Sequence, residues 1–355
     1  MLNLDRIICA TLFILVNTQL FAAEPTHVVY EGSGGIGAGK HIVFIASDHE
    51  YRGEESLPAL ARIMAKHYGF KCTVVFGTDP ATGNILPGSS NIHGLDVLDH
   101  ADLMVIFMRF INMPDDQMQH FVDYVDRGGP IIGLRTSTHA FQIPADRKFH
   151  AYDWQYAGPE FPKGFGRQVL GETWVTHYGG NHKQSSRLEI EPEQKDHPIL
   201  RGVSDMHVMA GCYSADPIEG SAVLAKGIVL NGMEKDAPAD STKVPMPVLW
   251  VRNYKSKSSK EARIFTTTQG ASEDILNDGF RRLLVNAHLW CLGMEDQIKP
   301  GNKIDFVGPY HPTTFSFTEF RRGIKPADLA GWDTPILNPN APLVEGDATK
   351  GSSNK

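Results

Sequence analysis

Hydrophobic positions along the first part of the chain alternate between short solid runs and amphipathic stripes. Residues 41–46, 72–76, 103–107 and 130–134 are apolar on both faces, as strands are when helices cover a parallel sheet. Leu57, Leu60, Ala61, Met64 and Tyr68 trace one helical face that stops at Gly69. Met118, Phe121, Val122 and Val125 trace a second over residues 115–127, opened by Pro114 and stopped by Gly128 and Gly129. The order strand, helix, strand, loop, strand, helix, strand predicts an α/β chain with a doubly wound, mostly parallel sheet.

The texture changes after His139, where Trp154, Tyr156, Trp174 and Tyr178 lie among Gly, Pro and His, a pattern of loops inserted around the sheet. Residues 186–191 alternate like a half-exposed strand, residues 248–251 and 263–267 look like strands that extend the sheet, and Phe280, Leu283, Leu284, Ala287 and Cys291 give a last helix. The tail from Pro335 is too polar and proline-rich to fold alone. The expected divisions are a signal peptide at 1–22, a flexible leader at 23–40, an α/β domain at 41–296, and a C-terminal extension with a disordered tail at 297–355.

Composition narrows the function. A chain of 355 residues with 41% hydrophobic content builds a substantial core, and its formal charge of −7 leaves no basic footprint for nucleic acid. Arg6, the apolar run 7–16 and Ala22-Ala23 form a secretory pattern that points to a secreted or periplasmic protein; Asp5 and Leu20 weaken it, with an uncleaved anchor as the rival. No later apolar run is long enough to span a bilayer. Of the four cysteines Cys9 leaves with the signal, and the odd remainder of Cys72, Cys212 and Cys291 argues against a disulfide framework.

Candidate chemistry gathers where the strands end. In an open α/β sheet the carboxyl ends of strands flank the ligand crevice. That sets Asp48, His49, Glu50, Arg52 and Glu54 after the first strand opposite Arg109 after the third, with Arg135 and His139 one strand further on. Glu50 or Glu54 with His139 suits acid and base work, the two guanidiniums suit gripping oxygen-rich ligands, and His177 and His182 border the site from a glycine-rich loop. The same charges also suit a purely structural ion-pair network. His139, His177 and His182 could offer three nitrogens to zinc, but five-residue spacing in a loop is not diagnostic, so no metal is assigned and no cofactor is named. The glycines of 32–39 ahead of Lys40 imitate a phosphate loop, yet His41 stands where a hydroxyl is needed and the run precedes a strand.

Taken in order, residues 41–45, Asp48 to Arg52, Gly128-Gly129, Gly133-Leu134, 197–199 and 263–270 resemble the ThuA-like family, named for trehalose utilisation, over roughly residues 40–296. The resemblance implies a flavodoxin-like fold similar to class I glutamine amidotransferases, and the extension around 305–310 with its leader is similar to exported bacterial members. Amidotransferases carry a nucleophilic cysteine between two glycines at a sharp strand-to-helix turn; here Arg135 occupies that place, so no glutaminase is implied. The resulting expectation is an exported protein that handles a small carbohydrate, a sugar or oxidised sugar, at the strand ends. Its rival is a non-catalytic sugar-binding or interaction module, and the oligomeric state is open. If Ala22 or Ala23 closes the signal, intact mass of the protein from its native host will show a chain starting near Ala23 or Glu24; retention of residues 1–22 contradicts this.

Overall fold

A computed structural model describes residues 25–336; the expected signal peptide and the last part of the tail lie outside the described residues. Its ten strands are β1 (His27–Glu31), β2 (His41–Ser47), β3 (Lys71–Phe76), β4 (Leu103–Met108), β5 (Ile131–Leu134), β6 (Ser186–Ile190), β7 (Met206–Val208), β8 (Ala222–Val229), β9 (Met246–Lys255) and β10 (Glu261–Thr267). The α-helices are α1 (Gly53–Tyr68), α2 (Asp115–Asp126) and α3 (Asp278–Cys291).

All ten strands share one sheet, ordered β1-β3-β2-β4-β5-β10-β9-β8-β6-β7. The class is α/β as expected, but the sheet is mixed. The run β3-β2-β4-β5-β10 is parallel, whereas β1 and the whole series β9-β8-β6-β7 add antiparallel. For β9 the cause is connection length: it reaches β10 through residues 256–260, too few for the crossover a parallel pair requires.

Alternation along β2 divides the core. Ile42, Phe44 and Ala46 pack with α1, α3 and the extension, while Val43 and Ile45 pack with α2 on the other face. One sequence expectation needs correction. Residues 27–31, expected in a flexible leader, form β1, because His27 to Glu31 pair with β3 and bury Val28 and Tyr30. The phosphate-loop look-alike is explained by packing: Gly37 N–H donates to Tyr68 O and Gly32 N–H to Phe70 O, so the glycines lie against the end of α1. A Cβ on Gly69, whose φ is 84°, would sit 1.4 Å from the Gly34 carbonyl oxygen.

The extension is folded as far as it is described. Phe315, Phe320, Ile324, Leu329 and Ile336 are buried, and Arg62 of α1, with no exposed surface, holds it. Its guanidinium donates to Thr334 O at 2.7 Å and Leu329 O at 2.9 Å and lies 5.2 Å from the Tyr30 ring. Arg62→Met, which keeps the stem and removes the charged donors, is expected to lower folding stability by roughly 2–4 kcal/mol and to open residues 304–336 to limited proteolysis. An unchanged urea midpoint would contradict that role for Arg62.

Candidate functional site

Three turns at adjacent strand ends carry the candidate residues, and each contains a non-glycine residue in the left-handed region. They are Arg52 after β2 (φ 62°), Phe110 after β4 (φ 54°) and Arg135 after β5 (φ 39°). Such residues cost about 1–2 kcal/mol each, so their convergence at one place marks a region the surrounding structure holds against local preference.

Asp48 ties the first turn to the third. Its carboxylate accepts the backbone N–H of Glu50 at 2.9 Å, that of Tyr51, and the Thr136 hydroxyl at 2.8 Å. This leaves Glu50 aimed across the crevice, where Arg109 Nη1 donates to its Oε2 at 2.6 Å and Asn181 Nδ2 to its Oε1 at 3.1 Å. Burial pushes the Glu50 carboxyl above its ordinary range, and the Arg109 charge only partly opposes this. Arg109 keeps 13% of its side chain exposed and lies between the rings of Phe110 and Phe317, at 5.2 and 5.0 Å.

Arg135 has no exposed surface. Its Nη1 donates to Gly211 O at 2.9 Å and Thr268 O at 2.7 Å, and its Nη2 donates to the Tyr51 hydroxyl at 2.9 Å. The Tyr51 and Tyr213 rings flank the guanidinium at 3.9 and 4.4 Å. Thus the two arginines that sequence places together divide: Arg109 borders the opening and Arg135 is locked beneath it. Ser137 beside it donates its hydroxyl to Ile106 O at 2.9 Å, back into the sheet.

His139 is buried among aromatic rings, 5.0 Å from Phe110, 5.3 Å from Trp174, 6.0 Å from Tyr213 and 6.4 Å from Trp154. Burial, then the charge of Arg109, pushes its imidazole well below the usual range, so it is neutral. Burial also lowers His49 and His177 to about 4, with Arg109 adding to the first and Arg135 to the second. Arg52 and Glu54 pair at 3.4 Å but turn toward the extension, Arg52 Nη2 donating to Ser316 O at 2.7 Å. His177 stands edge-on to Trp174 and Tyr213, whereas His182 stacks on Phe315 at 4.2 Å. Among the described residues no group of three His, Cys, Asp or Glu is placed to hold a metal ion.

Sequence reasoning missed Tyr51, Phe110, Asn181, Tyr213, Phe315 and Phe317. The first three had a signal, since they lie inside or beside the motifs that supplied Glu50, Arg109 and His182. Tyr213, Phe315 and Phe317 had none; only the fold brings them over Arg135, His182 and Arg109.

Fold and site together define an α/β protein with polar and aromatic side chains clustered at the strand ends. The chain belongs to the ThuA family, described as trehalose utilisation, which it matches over residues 43–291. A solved ThuA-like protein from Parabacteroides merdae ATCC 43184 is 16% identical, with a TM-score of 0.46 over 80% of this chain and 97% of that one. Another, from Bacteroides uniformis ATCC 8492, is 14% identical, with a TM-score of 0.43 over 74% of this chain and 94% of that one. No curated protein matches the chain. No helix among the described residues is long and apolar enough to cross a membrane.

Arg135→Lys removes the planar donors that serve two carbonyls and a phenol at once. It is expected to cost roughly 2–4 kcal/mol of folding stability, read as a fall in the urea midpoint. A midpoint within experimental error of the wild type would show that the buried network does not depend on the guanidinium.

Proposed function

We propose that this chain is an exported carbohydrate-handling enzyme that acts on a sugar or an oxidised sugar in the strand-end crevice. The observation that carries this reading is Glu50, a carboxylate clamped on Arg109 inside a wall of aromatic rings. Aromatic faces suit the C–H faces of a sugar, and a buried carboxylate with an upward-shifted pKa suits proton transfer near neutrality. In this reading Glu50 takes a proton from a carbon beside a sugar carbonyl. The C–H electrons move toward the carbonyl oxygen, Arg109 and His139 face the charge that develops, and Glu50 returns the proton to a neighbouring atom. His49, Trp174 and His177 border the bound ring, and Asn181 holds Glu50 in place. Arg135 acts as a positioning residue through the Tyr51 hydroxyl, and Asp48 through the turn it caps. Arg52, Glu54 and His182 support the same wall from the side of the extension.

The family description supports a carbohydrate role, and Arg135 at the place of the amidotransferase nucleophile argues against glutamine hydrolysis. A second reading, a non-catalytic sugar-binding module, is favoured by the commitment of both terminal nitrogens of Arg135 to protein groups.

Incubating the purified protein with trehalose, glucose and D-glucono-1,5-lactone and following each by NMR separates the readings. Conversion by the wild type that falls roughly 10²–10⁴-fold in Glu50→Gln supports the enzyme. Binding without conversion supports the module, and neither binding nor conversion overturns both.

The pH profile gives a further check. As a base Glu50 works deprotonated, so activity rises with pH through its folded pKa. Because Arg109 lowers that pKa, Arg109→Gln is expected to move the rising limb to higher pH, whereas an unmoved limb would remove Glu50 from the proton-transfer step.

A further inference from the structure

Phe317 lies beyond the family segment, which ends at residue 291, and it is the one strongly exposed Phe, Tyr or Trp among the described residues, at 44%. Its ring sits 5.0 Å from the Arg109 guanidinium and 5.5 Å from the His49 ring, so it faces the mouth of the crevice. The backbone on either side is pinned to the site. Ser316 N–H donates to Glu50 O at 2.8 Å, and Ser316 O accepts from Arg52 Nη2 at 2.7 Å. Upstream, Thr313 N–H donates to Glu55 Oε2 at 2.6 Å, Thr313 O accepts from the Ser272 hydroxyl at 2.8 Å, and Phe315 stacks under Tyr51 at 5.1 Å. An apolar ring held in the open by polar contacts to the turn that carries Glu50 is a preorganised surface: a ligand covering it has little ordering cost left to meet.

Resting on the carbohydrate reading above, we propose that Phe317 is a ligand-binding, specificity-determining residue supplied by the extension, and that the ligand it selects is an uncharged pyranoside with an apolar C–H face. The charge pattern sets the second half of this. Arg109 Nη1 is committed to Glu50, the donors of Arg135 that reach partners serve carbonyls and a phenol, and His49 and His139 border the same opening as neutral rings. Arg109 therefore has Glu50 as its counter-ion and Arg135 is sealed beneath the opening, so neither guanidinium presents an unmatched charge there to a carboxylate or phosphate. The Phe317 face pairs instead with the axial C–H groups of a hexopyranose while the polar floor meets its hydroxyls.

The test is titration by saturation-transfer NMR with methyl α-D-glucopyranoside and trehalose as neutral probes and D-glucuronate as the charged one. The wild type is expected to bind a neutral probe more tightly than glucuronate. Phe317→Ala should weaken that binding roughly five- to tenfold, and Phe317→Trp should restore it to within about twofold. The melting temperature of Phe317→Ala should stay within about 2 °C, since the ring is largely in water. If the wild type binds a neutral probe and Trp174→Ala weakens it while Phe317→Ala does not, the role of Phe317 is overturned and the crevice reading stands. Preference for glucuronate overturns the ligand class. If no probe binds the wild type, the carbohydrate reading fails and this inference fails with it.

Discussion

A guanidinium sealed from water must find its partners in protein, and at Arg135 that requirement organises the turns at the strand ends. Its carbonyl partners, at Gly211 and Thr268, belong to the antiparallel side and to the end of β10, while its phenol partner, Tyr51, follows β2. One side chain in a left-handed turn after β5 therefore joins three separate parts of the sheet. Uncompensated, a buried charge would cost several kcal/mol; here it is held by hydrogen bonds and two aromatic faces, so the turns can settle only where those partners meet it.

The electrostatics of the opening follow from this anchor. Burial first, and then the charges of Arg109 and Arg135, make His49, His139 and His177 lose their protons well below the pH at which a free imidazole is half charged. Glu50 is different: burial favours its neutral form while Arg109 favours the charged one, and the balance keeps it higher than an exposed carboxylate. Neutral imidazoles beside a carboxylate whose pKa is raised by burial give the site hydrogen-bonding capacity.

The extension is as much a part of the site as the sheet. Arg62 fastens it to α1 through backbone carbonyls, and Glu55, raised to about 8 by burial and then by the neighbouring Glu54, accepts the Thr313 N–H beneath it. A segment with little secondary structure of its own is thus ordered by buried polar side chains of the helix it crosses. Its aromatic residues are carried to the rim as a consequence.

Solid apolar runs and helical stripes were enough to place β2 to β5 and the three α-helices, because burial on both faces or on one face imposes its own period on the residues. Strand ends could likewise be named in advance as the seat of Glu50, Arg109, Arg135 and His139, since polar residues directly after apolar runs have few other places to go. Strand direction beyond β10 was not legible: β8 and β7 carry weak alternation, and β1 hides in a stretch that reads as a leader. The split between Arg109 and Arg135 was equally invisible, as identical side chains at similar positions differ only in which carbonyls and rings surround them. Period and composition are local properties that a sequence states outright, whereas burial of a charge and the surroundings of a site depend on residues hundreds of positions apart, such as Glu50 and Ser316 or Arg109 and Phe317, which only the closed tertiary structure brings into contact.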